Sequence, residues 1–379
     1  MNRVLSRVPL KTLLATTLAA AALAGCSLFG SDKPKPAPLE TLLGSSSVRA
    51  AWSAKGDSIN FPLSIAAVGD RFVVASSDGV VRALAAADGR ELWRGEAGVK
   101  PFAGVGSDGR FAALISRDND LVVMDAGRAA WRKPLPTPAI TAPLVAGERV
   151  FVVTVDRQVL AFDAPDGRRI WDFRRPGDAL TLAKSGALLA YKDTLVVGQG
   201  ARLVGVDPLK GTLRWEASIA TPRGTNEVER LADLVGPAVR QGELICARAF
   251  QSAVGCVNAE RGSAAWSRNI GGMNGVGADD QVVVAGDASD RLTAWRLSNG
   301  DLAWSGDQFQ NRKLTEPVLL AKQVLLGDFE GYVHVVDRET GKTRARLTTD
   351  GSPVLTLKLL GDTVLAATKS GGLFAFKAE

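Results

Sequence analysis

The chain has 379 residues, of which 46% are hydrophobic and 23% are charged, as in a globular protein with a sizeable core. Three of its 46 basic residues lie in the first 12 positions. Without them the chain has 43 basic and 40 acidic residues, a net charge of only +3. Nucleic-acid-binding surfaces are clustered and strongly basic, so this balance argues against nucleic acid as a partner.

The first 25 residues predict a lipoprotein signal peptide. A basic, acid-free stretch is followed by an apolar run over residues 13–23, which is too short to span a bilayer stably. A buried N-terminal helix is the alternative. Residues 23–26 read Leu-Ala-Gly-Cys, which resembles the bacterial lipobox, so we expect diacylglycerol and fatty acyl chains such as palmitate on Cys26. Cys26 is followed by Ser27 and not by Asp, so the resemblance to bacterial lipoproteins implies transfer to the outer membrane, facing the periplasm, and not retention in the inner membrane.

Residues 26–46 are predicted to be a lipidated N-terminus and a flexible linker. The stretch Lys33–Pro38 alternates proline with lysine and alanine, and such a sequence cannot build a core. It acts as an extended spacer of roughly 3 Å per residue. We expect it to hold the folded body, residues 47–379, away from the membrane. Anchoring is then through the lipid alone.

The folded body consists of repeats. Tryptophans recur at intervals of 38 to 51 residues, and six of them follow a glycine by four positions. An eighth copy ends at Ala345, where the tryptophan is lost but Gly341 remains. The repeated tryptophans are Trp52, Trp93, Trp131, Trp171, Trp215, Trp266 and Trp304.

Each repeat of about 40 residues accommodates four short strands, which is the length of one propeller blade. The sequence therefore predicts an all-β fold, an eight-bladed β-propeller of four-stranded antiparallel blades. Trp52 has no strands of its own before it, and the C-terminus ends after a third strand. We expect the N-terminal strand to complete the last blade and close the ring. The indoles are expected to clamp neighbouring blades, and a ligand groove lined by them is the alternative.

Residues suited to chemistry are few. His334 is the single histidine, so it forms neither a zinc site nor a convincing catalytic triad, and we read it as a structural strand residue. Acidic runs fall at hairpin turns with spacings that match no calcium loop. Cys246 and Cys256 lie on consecutive strands of the fifth blade. A disulfide and a pair of reduced, buried cysteines are equally compatible with that spacing.

The repeat A-x-D-x-x-x-G-x-x-x-W, seen in full at residues 161–171, is shared by two groups of exported propellers. One group is the quinoprotein dehydrogenases, which bind pyrroloquinoline quinone. The other is the BamB family of lipoproteins, which belong to the machinery that folds β-barrels into the bacterial outer membrane. The chain resembles the second group throughout its length, whereas the dehydrogenases are usually longer and have adjacent cysteines and calcium ligands. The resemblance implies a scaffold with no catalytic residues, metal or cofactor.

The resemblance also implies a binding site. Residues 225–233 and 178–182 are similar to two loops that in this family contact a periplasmic POTRA domain of the barrel-inserting subunit BamA. Leu180 and Leu182 match apolar contacts, and Asp233 matches one of two acidic positions. Val235 stands at the second acidic position and Ala183 at a basic one, with Lys184 one step on.

From the residues alone, the same region reads as an apolar anchor with a polar rim of Glu227, Arg230 and Asp233. The alternative is that the two leucines only fill a blade edge. The predicted function is a scaffold that binds BamA and assists unfolded outer-membrane proteins. Two other functions stay open: a short quinoprotein dehydrogenase, and a lipoprotein that binds an envelope polymer such as peptidoglycan.

Overall fold

The computed structural model describes residues 34–42, 47–175 and 180–378. These residues contain 32 strands and no helix, so no helix capable of crossing a membrane occurs among them. The strands form eight antiparallel sheets of four strands each. The predicted eight-bladed propeller is therefore confirmed. The propeller belongs to a compact unit that begins at Ala37.

Seven blades are built from four consecutive strands, numbered outward from the axis. Blade 1 contains β2 (Ala66–Val68), β3 (Arg71–Ala75), β4 (Val80–Ala85) and β5 (Glu91–Glu96). Blade 2 contains β6 (Pro101–Ser107), β7 (Phe111–Ser116), β8 (Asp120–Asp125) and β9 (Arg128–Pro134). Blade 3 contains β10 (Leu144–Ala146), β11 (Arg149–Val153), β12 (Val159–Asp163) and β13 (Arg169–Phe173). Blade 4 contains β14 (Leu188–Tyr191), β15 (Thr194–Gln199), β16 (Arg202–Val206) and β17 (Leu213–Ser218).

The remaining blades follow the same order, except the last. Blade 5 contains β18 (Leu234–Gln241), β19 (Leu244–Ala249), β20 (Ala253–Asn258) and β21 (Ser263–Asn269). Blade 6 contains β22 (Gly277–Ala278), β23 (Val282–Gly286), β24 (Leu292–Arg296) and β25 (Leu302–Gly306). Blade 7 contains β26 (Val318–Leu320), β27 (Gln323–Gly327), β28 (Tyr332–Asp337) and β29 (Thr343–Thr348). Blade 8 contains β30 (Val354–Leu360), β31 (Thr363–Thr368), β32 (Gly372–Ala378) and β1 (Val48–Lys55).

Closure of the ring follows the expectation from the two ends of the chain. β1 pairs with β32 as the outermost strand of blade 8, from Val48 opposite Ala378 to Lys55 opposite Gly372. The innermost strands contact one another in sequence around the axis, and β30 returns to contact β2. Closing the circle leaves no blade unpaired at an end.

The burial of the strands depends on their place in the blade. The middle strands are covered on both faces by neighbouring blades, so β7 and β31 are buried at every position. Outermost strands face solvent on one side, and β9 is exposed at alternate positions over most of its length. Continuous apolar runs and alternating runs thus mark the two kinds of strand.

The seams between blades explain the repeated glycine and tryptophan. Each of the seven indoles lies against the turn glycine of the next blade around the ring. A Cβ atom on that glycine would come within 2.4 to 3.1 Å of the indole in every case. Five indole N–H groups also donate to a carbonyl of the next blade over 2.6 to 3.0 Å: those of Trp52, Trp131, Trp171, Trp266 and Trp304. The tryptophans are therefore built into the seams.

The missing eighth tryptophan has a structural reason. Ala345 lies on β29, which faces blade 8. Blade 8 receives its outermost strand from the N-terminus, so the hairpin that would present a turn glycine does not exist there. Ala345 packs instead against a cluster that includes Val48 and Phe376. Without a receiving glycine, an indole at position 345 has no place to dock.

The structure joins Cys246 to Cys256 by a disulfide. The two residues are directly opposite each other on β19 and β20, with Cα atoms 4.0 Å apart, and both are fully buried. Of the two states that the spacing allowed, the structure therefore has the bonded one.

Candidate partner-binding site

A groove of about 450 Å³ opens where blades 3, 4 and 5 meet. One wall is formed by the leucine loop, residues 180–184, which connects blade 3 to blade 4. The other is the insertion loop, residues 221–233, which connects blade 4 to blade 5. The residues predicted for partner binding that line this groove are Leu180, Glu227, Arg230 and Asp233. The structure therefore brings together residues from two loops far apart in sequence.

The leucine loop is held in place by Asp233. One carboxylate oxygen of Asp233 accepts the backbone N–H of Leu182 over 2.8 Å. The other accepts Arg157 Nη2 over 3.2 Å, and the same nitrogen donates to the carbonyl of Leu180 over 3.3 Å. Arg157 in turn accepts a hydrogen bond on its carbonyl from Gln199 over 3.0 Å. Three blades thus contribute to one small network that orients the loop.

In this network Asp233 supports the leucine loop. The sequence suggested a rim charge facing a partner, but only 15% of this side chain is exposed, and both oxygens are used within the chain. Val235, at the second acidic position, is buried in the core. The loop thus presents Leu180, which is 37% exposed, while Leu182 is half-buried.

The insertion loop is ordered by its own polar side chains. Asn226 Oδ1 accepts the N–H of Glu229 over 2.9 Å, and Glu229 Oε2 accepts the N–H of Thr225 over 2.7 Å. These hydrogen bonds close a tight turn, and those from Thr225 lower the pKa of Glu229. The tight turn presents Val228, which is 71% exposed, beside the exposed Glu227.

The groove also contains charges that the sequence analysis did not single out. Arg175 and Arg202 line the groove, and both pair with Glu216 on β17, Arg202 over 2.7 Å. Arg157 was missed as well: it lies in a hairpin turn, and its contact with Asp233 spans 76 positions. No local motif signals a contact of that range.

Lys184 lies one position beyond Ala183, where the family has a basic residue, and its side chain is hydrogen-bonded within the chain. Its ammonium donates to the carbonyl of Met273 over 2.6 Å, which ties the leucine loop to the connection between blades 5 and 6. Desolvation lowers the pKa of Lys184. Met273 is itself 45% exposed, so it extends the apolar surface on that side.

The remaining candidate residues form no reactive site among the described residues. His334 is fully buried, and its Nε2 lies 2.9 Å from Asp328, to which Arg312 also donates. Burial lowers the pKa of His334, which favours the neutral imidazole. No group of three or more His, Cys, Asp or Glu side chains in the described ranges could hold a metal ion. Cys26 lies outside those ranges.

Chemically, the groove is suited to binding another protein. It combines exposed apolar side chains on loops whose backbones are tied down by hydrogen bonds with a rim of mixed charge. Such loops lose little freedom on association, so burying a leucine stabilises a complex with a small ordering cost.

The sequence is similar to one family of known proteins over most of its length. Residues 77–306 match the family model described as outer membrane protein assembly factor BamB. The assembly factor BamB of Bordetella pertussis is 33% identical over 367 residues, which cover 94% of this chain and 95% of the relative. That of Escherichia coli K12 is 28% identical and covers 96% and 98% of the two chains.

Solved structures show the same fold. The crystal structure of BamB from Moraxella catarrhalis superimposes with a TM-score of 0.78 at 20% identity, covering 87% of this chain and 99% of that one. Quinohemoprotein alcohol dehydrogenase from Comamonas testosteroni reaches 0.62 at 13% identity, covering 88% and 77%. The propeller therefore does not by itself separate the two groups, whereas the match of sequence over almost the whole length does. The chain belongs to the family of the outer membrane protein assembly factor BamB.

Proposed function

We propose that this chain is a non-enzymatic scaffold lipoprotein of outer-membrane protein assembly. It is anchored through lipid on Cys26 in the outer membrane and faces the periplasm. Its leucine loop binds a POTRA domain of BamA, and the bound propeller assists the folding and insertion of unfolded outer-membrane proteins. The relatives are named as assembly factors of the outer membrane, which supports the general role.

The observation that carries the binding site is the support beneath Leu180. A 37% exposed leucine stands on a loop whose backbone is held by Asp233 of the insertion loop and Arg157 of blade 3. A leucine that only filled a blade edge would not need a carboxylate and a guanidinium to keep it at the surface. A leucine that is already held in place loses little freedom on binding, so its burial contributes to the affinity.

The test is co-purification of BamA with Leu180→Glu. A carboxylate placed in an apolar contact has to be desolvated without a partner, so we expect at least a tenfold loss of bound BamA. Leu302→Glu is the matched control, because Leu302 is 65% exposed on β25, the outermost strand of blade 6, and does not line the groove. Thermal unfolding followed by circular dichroism should be unchanged in both variants.

A second variant distinguishes direct contact with BamA from support of the leucine loop. Asp233→Ala removes the acceptor for Leu182 and Arg157 without altering either leucine. It should weaken BamA binding because the leucine loop is no longer held in place. If Asp233 acted only as a negative charge at the rim of the groove, Asp233→Glu would keep that charge and restore BamA binding. Retention of full binding by both Leu180→Glu and Asp233→Ala would refute the proposed site. The intact mass of the same purified protein tests for lipid on Cys26, and envelope polymers captured in place of BamA would favour the polymer-binding alternative.

A further inference from the structure

The chain before the propeller is not simply a spacer up to its first strand. Residues 37–42, which we call the docked segment, lie against blade 7. The N–H of Ala37 donates to the carbonyl of Gln310 over 2.8 Å. Arg312 Nη1 donates to the carbonyl of Ala37 over 3.0 Å, and Arg346 Nη2 to that of Glu40 over 3.1 Å.

Arg312, which donates to the docked segment, is held in place by buried hydrogen bonds within the propeller. Arg312 is 2% exposed, and its Nε and Nη2 donate to one oxygen of the fully buried Asp328 over 2.9 and 2.7 Å. Glu330 pairs with the same guanidinium. These carboxylates hold the planar group in one orientation, so its remaining nitrogen is aimed at the backbone of Ala37.

The burial pattern of the docked segment agrees with its packing against the propeller. Ala37, Leu39 and Leu42 are half-buried, while the residues between them are exposed. The contacts extend from the chain entering β26, at Gln310, to the outermost strand β29, at Arg346. Proline at positions 36 and 38 restricts the backbone on both sides of Ala37, which lowers the entropy lost on docking.

We propose that the docked segment is a clamp that determines where the membrane tether leaves the propeller. Only residues 27–36 then separate Cys26 from the clamp. At 3.3–3.6 Å per residue they reach at most about 35 Å, compared with about 70 Å for a spacer that continued to residue 46. The reach depends on the lipid anchor of the proposed function, whereas the clamp itself does not.

The position of the clamp has a consequence for the ring. In the ring of eight, blade 7 lies diametrically opposite blade 3 and three blades from blade 4, on which the groove is centred. The groove between blades 3, 4 and 5 is therefore on the side away from the tether. A short tether at blade 7 keeps that side of the propeller next to the bilayer and leaves the groove accessible to a periplasmic partner.

Cleavage by the protease Glu-C after Glu40 tests the clamp. A protease needs a locally unfolded stretch, so docking should slow the cut at Glu40–Thr41, which is identified by mass. In the full-length protein in isolated membranes we expect cleavage at least tenfold slower than in a synthetic peptide of residues 35–46.

Two variants should release the docked segment without altering the buried ion pair of Arg312 and Asp328. Ala37→Pro removes the N–H that Gln310 accepts, and Arg346→Gln removes the charged donor to Glu40. Each should raise the cleavage rate by at least fivefold with an unchanged melting temperature. Arg344→Gln is the matched control, since Arg344 is exposed on the same strand and pairs with Asp337.

The outcomes are decisive. Cleavage of the unaltered protein at the rate of the peptide, or variants cleaved no faster than the control, would overturn the clamp. Release of the propeller into the supernatant on cleavage, measured in the Leu180→Glu variant so that BamA does not retain it, is a separate readout of the anchor. Cleaved protein that stays on the membrane would count against lipid on Cys26 and leave the clamp intact.

Discussion

The pairing of glycine and tryptophan at the seams leads to a quantitative prediction for Gly300→Ala. Gly300 has φ of +73°, and a Cβ atom there would lie 2.6 Å from two ring carbons of Trp266 on the preceding blade. Real Cβ atoms do not approach that closely, so either the indole or the turn has to move. Gly242→Ala is the control, because Gly242 has φ of +58° and open space around its Cβ position.

The two substitutions share every effect except the contact with the indole. Placing a Cβ at positive φ costs about 1–2 kcal/mol, and both variants gain equally from a stiffer unfolded chain. Overpacking against a buried ring adds about 1–3 kcal/mol at Gly300 alone. We therefore expect Gly300→Ala to lower the free energy of unfolding by about 2–5 kcal/mol, and Gly242→Ala by no more than about 2 kcal/mol.

A double-mutant cycle isolates the contact. Trp266→Ala by itself should cost about 3–5 kcal/mol, because it empties a buried site. In the Trp266→Ala background, Gly300→Ala should lower the free energy of unfolding only by the cost of a Cβ atom at positive φ. The difference between the two backgrounds is a coupling energy of about 1–3 kcal/mol. Urea unfolding followed by far-ultraviolet circular dichroism measures all four proteins without relying on tryptophan emission. Equal destabilisation by the two glycine variants, or no coupling with Trp266→Ala, would refute the seam argument.

Two further predictions concern buried groups. Replacing Cys246 and Cys256 together by alanine should lower the free energy of unfolding by about 2–3 kcal/mol, because the bond closes a loop of about ten residues in the unfolded chain; an unchanged urea midpoint would contradict a formed disulfide. Burial lowers the pKa of His334, so the unfolded chain binds more protons and stability should fall as pH drops below about 6.5. Because His334 is the single histidine, His334→Gln should flatten the urea midpoint between pH 7 and 5 in protein purified without a histidine tag, and an unaltered slope would refute this assignment.

Much of the architecture could be predicted because a propeller repeats a local pattern. Seven of the eight blades carry four consecutive strands and a turn glycine within about 40 residues. Asp207 shows how local this is: it accepts the N–H groups of Leu209 and Lys210, and the hydrogen bond from Arg214 helps to lower its pKa to about 2. The number of blades and the closure by β1 followed from counting such units.

The candidate partner-binding site could be predicted less completely. The resemblance pointed to two loops that the structure brings together, since Leu180, Glu227, Arg230 and Asp233 line one groove. Their individual roles did not follow from sequence, because an acidic residue in a loop looks the same whether it faces a partner or supports a neighbouring strand. The contact between Arg157 and Asp233 decided the matter for Asp233.

The sequence by itself determined the fold class, the eight blades, the seam positions and the family, because these depend on spacing along the chain and on short turns. Tertiary structure alone decided that Ala345 needs no indole, that Asp233 lies beneath the leucine loop, and that residues 37–42 meet Arg312. Each of these depends on residues that become neighbours only after the ring has closed, and no periodicity along a chain encodes which blade lies opposite which.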